Sequence, residues 1–141
     1  MAEPSGNNRP GGCGSALGPI PLTLLLISAD EGLTRFVTGK VKPPWNISAY
    51  RPTEAVRWMF TEPNVQLVVF DDEAIDASLR GMLLGRIRRL TRGGALLYVA
   101  GSHSDETERQ ARANGAHYYV SKPIEFEGFS RVLESFLRIR K

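Results

Sequence analysis

Cysteine is almost missing from this chain. Of 141 residues only Cys13 is a cysteine, so neither an intrachain disulfide nor a cysteine-built zinc cluster can form. A reducing compartment fits that usage. Histidine is nearly as scarce. His103 and His117 are the only two, one in a loop and one starting a strand, and neither has an evident serine or cysteine nucleophile as partner. No apolar run is long enough to cross a bilayer. The longest, Ile20 to Ala29, is about half of what a spanning helix needs. The stretch before it carries one Arg, one Glu and many Gly and Pro, which makes a poor start for a signal peptide. We therefore expect no export signal, no anchor and a cytoplasmic location. A phosphate-cradling glycine loop is lacking where it would matter, because GGCGSALG at 11–18 precedes the first strand instead of following it. Internal repeats are absent. Charge of one sign is not in large excess: the formal net charge is +3, which by itself does not argue for nucleic acid.

What is present suits one soluble globular domain, with 42% hydrophobic and 23% charged residues. The length is enough for a single real core. Residues 1–20 are rich in Gly, Pro, Asn and Ser and have little to bury, so a disordered N-terminal tail is expected there. The domain is expected over 21–141. Within it, short apolar runs alternate with stretches of helical spacing. The runs are Leu22–Ser28, Asn46–Tyr50, 65–70 (VQLVVF), 95–100 (ALLYVA) and 117–120 (HYYV). Helical stripes follow them: Leu33, Phe36, Val37 and Val41; then Ala55, Val56, Met59 and Phe60, opened by Pro52–Thr53; then Leu79, Met82, Leu83, Ile87 and Leu90; then the polar 104–115 segment with Ser104 as N-cap and Gly115 as stop; then Phe126, Phe129, Val132, Leu133, Phe136 and Leu137.

Five β-α units in succession predict an α/β fold, a doubly wound parallel sheet of five strands with helices on both faces. Sites on such sheets lie beyond the carboxyl ends of the strands. Asp30 and Glu31 follow the first strand. Asp71, Asp72 and Glu73 follow the third. Ala100, Gly101 and Ser102 follow the fourth, and Ser121, Lys122 and Pro123 the fifth. Taken singly, Asp30 reads as a helix-start acid, Asp71–Asp72 as a solvated turn and Lys122–Pro123 as a loop. Together they bring acids from two strands to a lysine from a third. Oxygen ligands from Asp30 and Asp71 suit a hard cation such as Mg²⁺. A carboxylate beside that cation can attack a phosphoryl group, with the ammonium of Lys122 screening the incoming charge.

Over about residues 21–140 the chain resembles a response-regulator receiver domain. The resemblance rests on ISADE at 27–31, LVVFD at 67–71, ANGAHYYVSKP at 113–123 and the β-α order. It implies a flavodoxin-like (βα)5 fold with strand order 2-1-3-4-5. It implies Asp71 as phosphoacceptor, and Mg²⁺ held by Asp30, Asp71 and the backbone carbonyl of Glu73. It also implies Lys122 on the phosphoryl group or paired with Asp71, a cis bond before Pro123, and Tyr119 as the aromatic switch. Two positions depart from the family pattern. Ala29 stands where a second acid is usual, which removes a carboxylate that orients metal-bound water and weakens Mg²⁺ binding by about 10–100-fold. Ala100 stands where a Thr or Ser hydroxyl usually meets the phosphoryl oxygen. With no hydroxyl to pull on it, Tyr119 is expected to stay inward.

The function implied is that of a single-domain receiver in phosphorelay signalling, since no output domain follows the last helix before Lys141. It would act through protein contacts, with a histidine kinase or phosphotransfer protein upstream. A downstream protein would bind the face of the fourth helix, fifth strand and fifth helix, where Tyr118 or Tyr119 sits with Arg109, Arg112, Arg131 and Arg138. It would not be an enzyme beyond Mg²⁺-dependent self-phosphorylation of Asp71 from a phosphodonor. The alternative is a phosphorylation-independent pseudo-receiver adaptor. A nucleic-acid role would rest on Arg80, Arg86, Arg88, Arg89 and Arg92, but no recognisable binding module accompanies them, and a solvated helix face accounts for them. A flavin or small-molecule protein is the remaining class that the fold permits.

Overall fold

The runs Leu22–Ser28, 65–70 and 95–100 have no polar face, so each needs cover on both sides, and strands inside a parallel sheet obtain it. The computed structural model describes residues 22–51, 64–73, 75–91 and 94–138. Its elements are β1 (Leu22–Ile27), α1 (Glu31–Lys40), β2 (Trp45–Tyr50), β3 (Val65–Asp71), α2 (Ala77–Thr91), β4 (Ala95–Ala100), α3 (Asp105–Ala113), β5 (Tyr118–Ser121) and α4 (Phe126–Arg138). The expected tail and the helix expected after Pro52 lie outside the described residues. All pairings are parallel, and the sheet order is β2-β1-β3-β4-β5. This is the 2-1-3-4-5 order that the resemblance implied.

Strand alternation sorts the core into two layers. Leu24 and Leu26 of β1, Leu67 and Val69 of β3, and Leu97 and Val99 of β4 pack with Leu33 and Val37 of α1 and Phe129 and Leu133 of α4. On the other face Leu25 and Ile27, Val68 and Phe70, and Leu96 and Tyr98 pack with Leu83, Leu84 and Ile87 of α2 and Ala111 of α3. The first layer is fastened at its rim. Trp45 donates its indole N–H to the Leu137 carbonyl at 2.9 Å, and Lys40 meets Glu134 at 3.3 Å. Helix ends follow local chemistry. Ser104 caps α3 by accepting from the Thr107 N–H. Gly115, just past that helix, has φ of 96°, which glycine adopts without steric cost.

Candidate functional site

The register decides which strand-end residues meet. Ile27 pairs with Phe70, and Asp71 pairs with Val99. One step beyond Ile27 lies Ser28, beside Asp71 and on the same face as Leu26 and Val69. In β5, Val120 pairs with Val99, so Lys122, two residues on, returns to that face. Ser28, Asp71 and Lys122 thus form a row across the carboxyl edge of the sheet, above the α1/α4 layer. The next residue along β3, Asp72, must point to the opposite face.

Asp71 is 2% exposed, and both carboxylate oxygens are used. Oδ2 accepts from Ser28 Oγ at 2.8 Å and from Lys122 Nζ at 2.9 Å, while Oδ1 accepts from the Glu73 N–H at 3.1 Å. Lys122 Nζ also reaches Asp30 Oδ2 at 2.9 Å and the carboxylate of Glu73. Asp30 is therefore both cap and site residue: Oδ1 accepts from the Leu33 N–H to start α1, and Oδ2 faces the lysine. The Lys122 hydrogen bond, then the Leu33 N–H, hold the Asp30 carboxyl below the usual range. Burial alone would lower the Lys122 pKa. Its hydrogen bonds to Asp71, Glu73 and Asp30 together outweigh that and hold it above the ordinary lysine value. Glu73 brings its side chain to the cluster, in addition to the backbone carbonyl that the resemblance implied as a ligand. The Lys122–Pro123 bond is cis, as is Pro43–Pro44.

Asp72 serves the other face. It is 2% exposed, accepts from the Tyr98 hydroxyl and the Gly101 N–H, and pairs with Arg80 at 3.6 Å. Burial first, then the hydrogen bond to Asp72, push the Tyr98 phenol well above its ordinary range. Tyr119 stacks on Tyr98 with centroids 5.8 Å apart, and its hydroxyl lies 3.0 Å from His103 Nδ1. Burial, then Glu108, raise the Tyr119 phenol as well. Ala100 is fully buried and brings no polar side-chain group. Ala29 lines an open cleft of about 400 Å³ with Ser28, Arg35, Tyr50 and Arg51. Of the arginine run, Arg80 is tied to buried Asp72 and does not belong to a free basic face. On the expected partner face, Arg112 pairs with Glu108 and Arg131 with Glu127, while Tyr118 packs against Phe129.

Two residues of this edge, Ser28 and Tyr98, were not singled out from sequence, and a third, Arg80, was read only as part of an arginine run. Ser28 carried a usable signal, since alternation places it on the Leu24–Leu26 face. Tyr98 carried another, because a tyrosine inside a buried strand needs a partner for its hydroxyl. The partnership of Arg80 with Asp72 had none.

No family model and no curated protein matches the chain. Solved structures do. A two-component response regulator from Clostridium difficile matches with a TM-score of 0.68 at 20% identity, over 85% of this chain and 99% of that one. A response regulator from Thermotoga maritima matches with a TM-score of 0.67 at 16% identity, over 84% and 99%. An orphan response regulator of H. pylori matches with a TM-score of 0.66 at 20% identity, over 83% and 97%. The chain has the fold of response-regulator receiver domains.

The acids at this edge form a donor set that could hold a divalent cation. One carboxylate oxygen each from Asp30, Asp71 and Glu73 lie within 4.8 Å of one another, and oxygen donors suit a hard cation. The Lys122 ammonium stands among the same three carboxylates. Among the described residues, no helix is long and apolar enough to cross a membrane.

Proposed function

We propose that this protein is a phosphorelay receiver whose phosphoacceptor is Asp71. The observation that carries the reading is the buried Asp71 carboxylate at the end of β3, 2.9 Å from Lys122 Nζ and beside Asp30. A carboxylate oxygen of Asp71 attacks the phosphorus of a phosphohistidine on a histidine kinase or phosphotransfer protein. The O–P bond forms as the P–N bond breaks, and the bonding pair goes to the imidazole nitrogen, which takes up a proton. Lys122 binds the transferred oxygens and balances their charge. Asp30, Asp71 and Glu73 would hold Mg²⁺, which supplies further positive charge when bound. The protein works in the cytoplasm and passes the signal by contact. Its downstream partner binds the α3–β5–α4 face, where Tyr119, Arg109, Arg112, Arg131 and Arg138 lie.

Two observations favour the second reading, a pseudo-receiver adaptor that works without phosphorylation. Lys122 already bonds all three carboxylates, and Ala100 has no hydroxyl for a phosphoryl oxygen. Titration with Mg²⁺ and then beryllofluoride, followed by amide NMR, separates the two. Saturable, Mg²⁺-dependent shifts around Asp71 are expected, and they should vanish in Asp71→Asn. Absence of shifts at millimolar Mg²⁺ would leave the adaptor reading.

A further inference from the structure

Ala100 leaves the candidate phosphoacceptor without the hydroxyl that the fourth strand would otherwise bring. A different hydroxyl touches it. Ser28 Oγ lies 2.8 Å from Asp71 Oδ2, and Ser28 is 6% exposed. The same oxygen accepts from the Asp30 N–H at 2.9 Å. A serine hydroxyl has one proton to give. Asp71 Oδ2 is its acceptor, so the serine is held as donor to the aspartate and acceptor from the turn that carries Asp30.

We infer that Ser28 is the positioning residue of this site. Its hydroxyl sets the orientation of the Asp71 carboxylate from the first strand, a place where nothing else assigns a role. The inference rests on Asp71 as phosphoacceptor for its consequence, though not for its geometry. Ser28 and Lys122 together hold Oδ2, while among the described residues Oδ1 accepts only from the Glu73 backbone N–H. Oδ1, the less engaged oxygen, is then the one that attacks. With phosphoramidate as donor, Oδ1 attacks phosphorus, the P–N bond breaks and ammonia leaves with the electron pair and a proton. The serine remains unmodified and makes no contact with the phosphorus. Removing the hydroxyl frees the carboxylate to rotate about its last bond and breaks the link between the Asp30 turn and Asp71. A nucleophile misaligned by a fraction of an ångström reacts more slowly even when its donor still binds.

The test compares wild type, Ser28→Ala, Ser28→Thr and Asp71→Asn. Phosphoramidate with Mg²⁺ is the donor, and the phosphoryl mass gain on the intact protein is followed in time. Expected is an approximately tenfold slower maximal rate in Ser28→Ala, with the half-saturating phosphoramidate concentration within twofold of wild type. Ser28→Thr keeps the hydroxyl and should recover most of the rate. The open cleft beside Ser28 gives its extra methyl room. A maximal rate in Ser28→Ala within twofold of wild type overturns the inference, as does a Thr variant as slow as the Ala variant.

If wild type itself takes no phosphoryl group, the phosphoacceptor reading fails, and a second measurement still decides the role of Ser28. The Glu73 amide donates to Asp71 Oδ1 from another strand end and does not touch Ser28. Its proton shift should move in Ser28→Ala and return in Ser28→Thr. An unmoved Glu73 amide overturns the inference whatever the kinetics.

Discussion

Asp72→Ala should be the most destabilising single change at the carboxyl edge, by about 3–5 kcal/mol. The carboxylate is buried, and among the described residues the Tyr98 hydroxyl and the Gly101 N–H have no other acceptor, while Arg80 keeps only a 3.4 Å bond to the Asp72 carbonyl. The Tyr98 hydroxyl loses its acceptor inside a ring 2% exposed, the Gly101 N–H loses its bond, and Arg80 loses its counter-charge. Arg80 Nε is already buried with no partner. Leaving a charge and two donors stranded costs far more than the net worth of their bonds. Tyr98→Phe removes one donor and keeps the ring between Phe70 and Tyr119, so about 1–2 kcal/mol is expected. Arg80→Met falls between the two. The guanidinium end borders an open cleft lined by Glu73, Ser102 and His103, which lets water reach Asp72 in its place. Urea unfolding midpoints at constant slope would measure all three. An Asp72→Ala variant less affected than Tyr98→Phe would show that the carboxylate is not the hub of this cluster.

Lys122→Met should cost about 2 kcal/mol, with a distinctive pH dependence. Breaking a fully buried pair costs roughly 3–5 kcal/mol. Here the lysine side chain is 13% exposed and that of Glu73 60% exposed, so water screens part of the loss. Asp71, almost fully buried, is the acid left stranded. Adding Asp71→Asn to Lys122→Met should therefore recover about half of the loss, a non-additivity expected only of residues in contact. The sign with pH follows from the two shifted groups. The Asp30 carboxyl is lowered in the folded state, so its stabilisation is present above about pH 4 and fades as pH falls through the lowered value. The Lys122 ammonium is raised, so its contribution is complete below about pH 10 and is lost as pH rises through the folded value. Wild type should lose this increment at both extremes. Lys122→Met, lacking the pair, should lose less stability than wild type below about pH 4 and above about pH 10. Equal losses at both extremes in chemical denaturation would mean that the cluster contributes nothing net.

Much of the molecule is legible along the chain. Leu22–Ser28, 65–70 and 95–100 read as buried strands because they lack a polar face, and the observed strands match them closely; strands of that kind between amphipathic helices leave few topologies open. The strand order itself came from the resemblance. Asp30, Asp71 and Lys122 could be gathered because each ends a strand and all strands point one way. Less legible was the division of labour within Asp71–Asp72–Glu73. As sequence it is an acidic turn. In the fold, one acid enters the lysine cluster, the next turns under the sheet to Tyr98 and Arg80, and the third returns to the lysine.

Pattern along the chain was enough to place the buried strands, the helices among the described residues, and the acids and the lysine at one edge; it did not show that Asp71 and Asp72 are buried, or that Leu79, Met82 and Phe126 stay exposed. Those placements follow from local pattern and the direction of the chain. It took the assembled sheet to put Ser28 beside Asp71, to let Asp30 both cap a helix and meet the lysine, and to place Asp72 in a separate buried network. Each of these depends on register between strands far apart in sequence. A shift of one residue would send every side chain to the opposite face, and the register is set by the packing of two apolar layers at once.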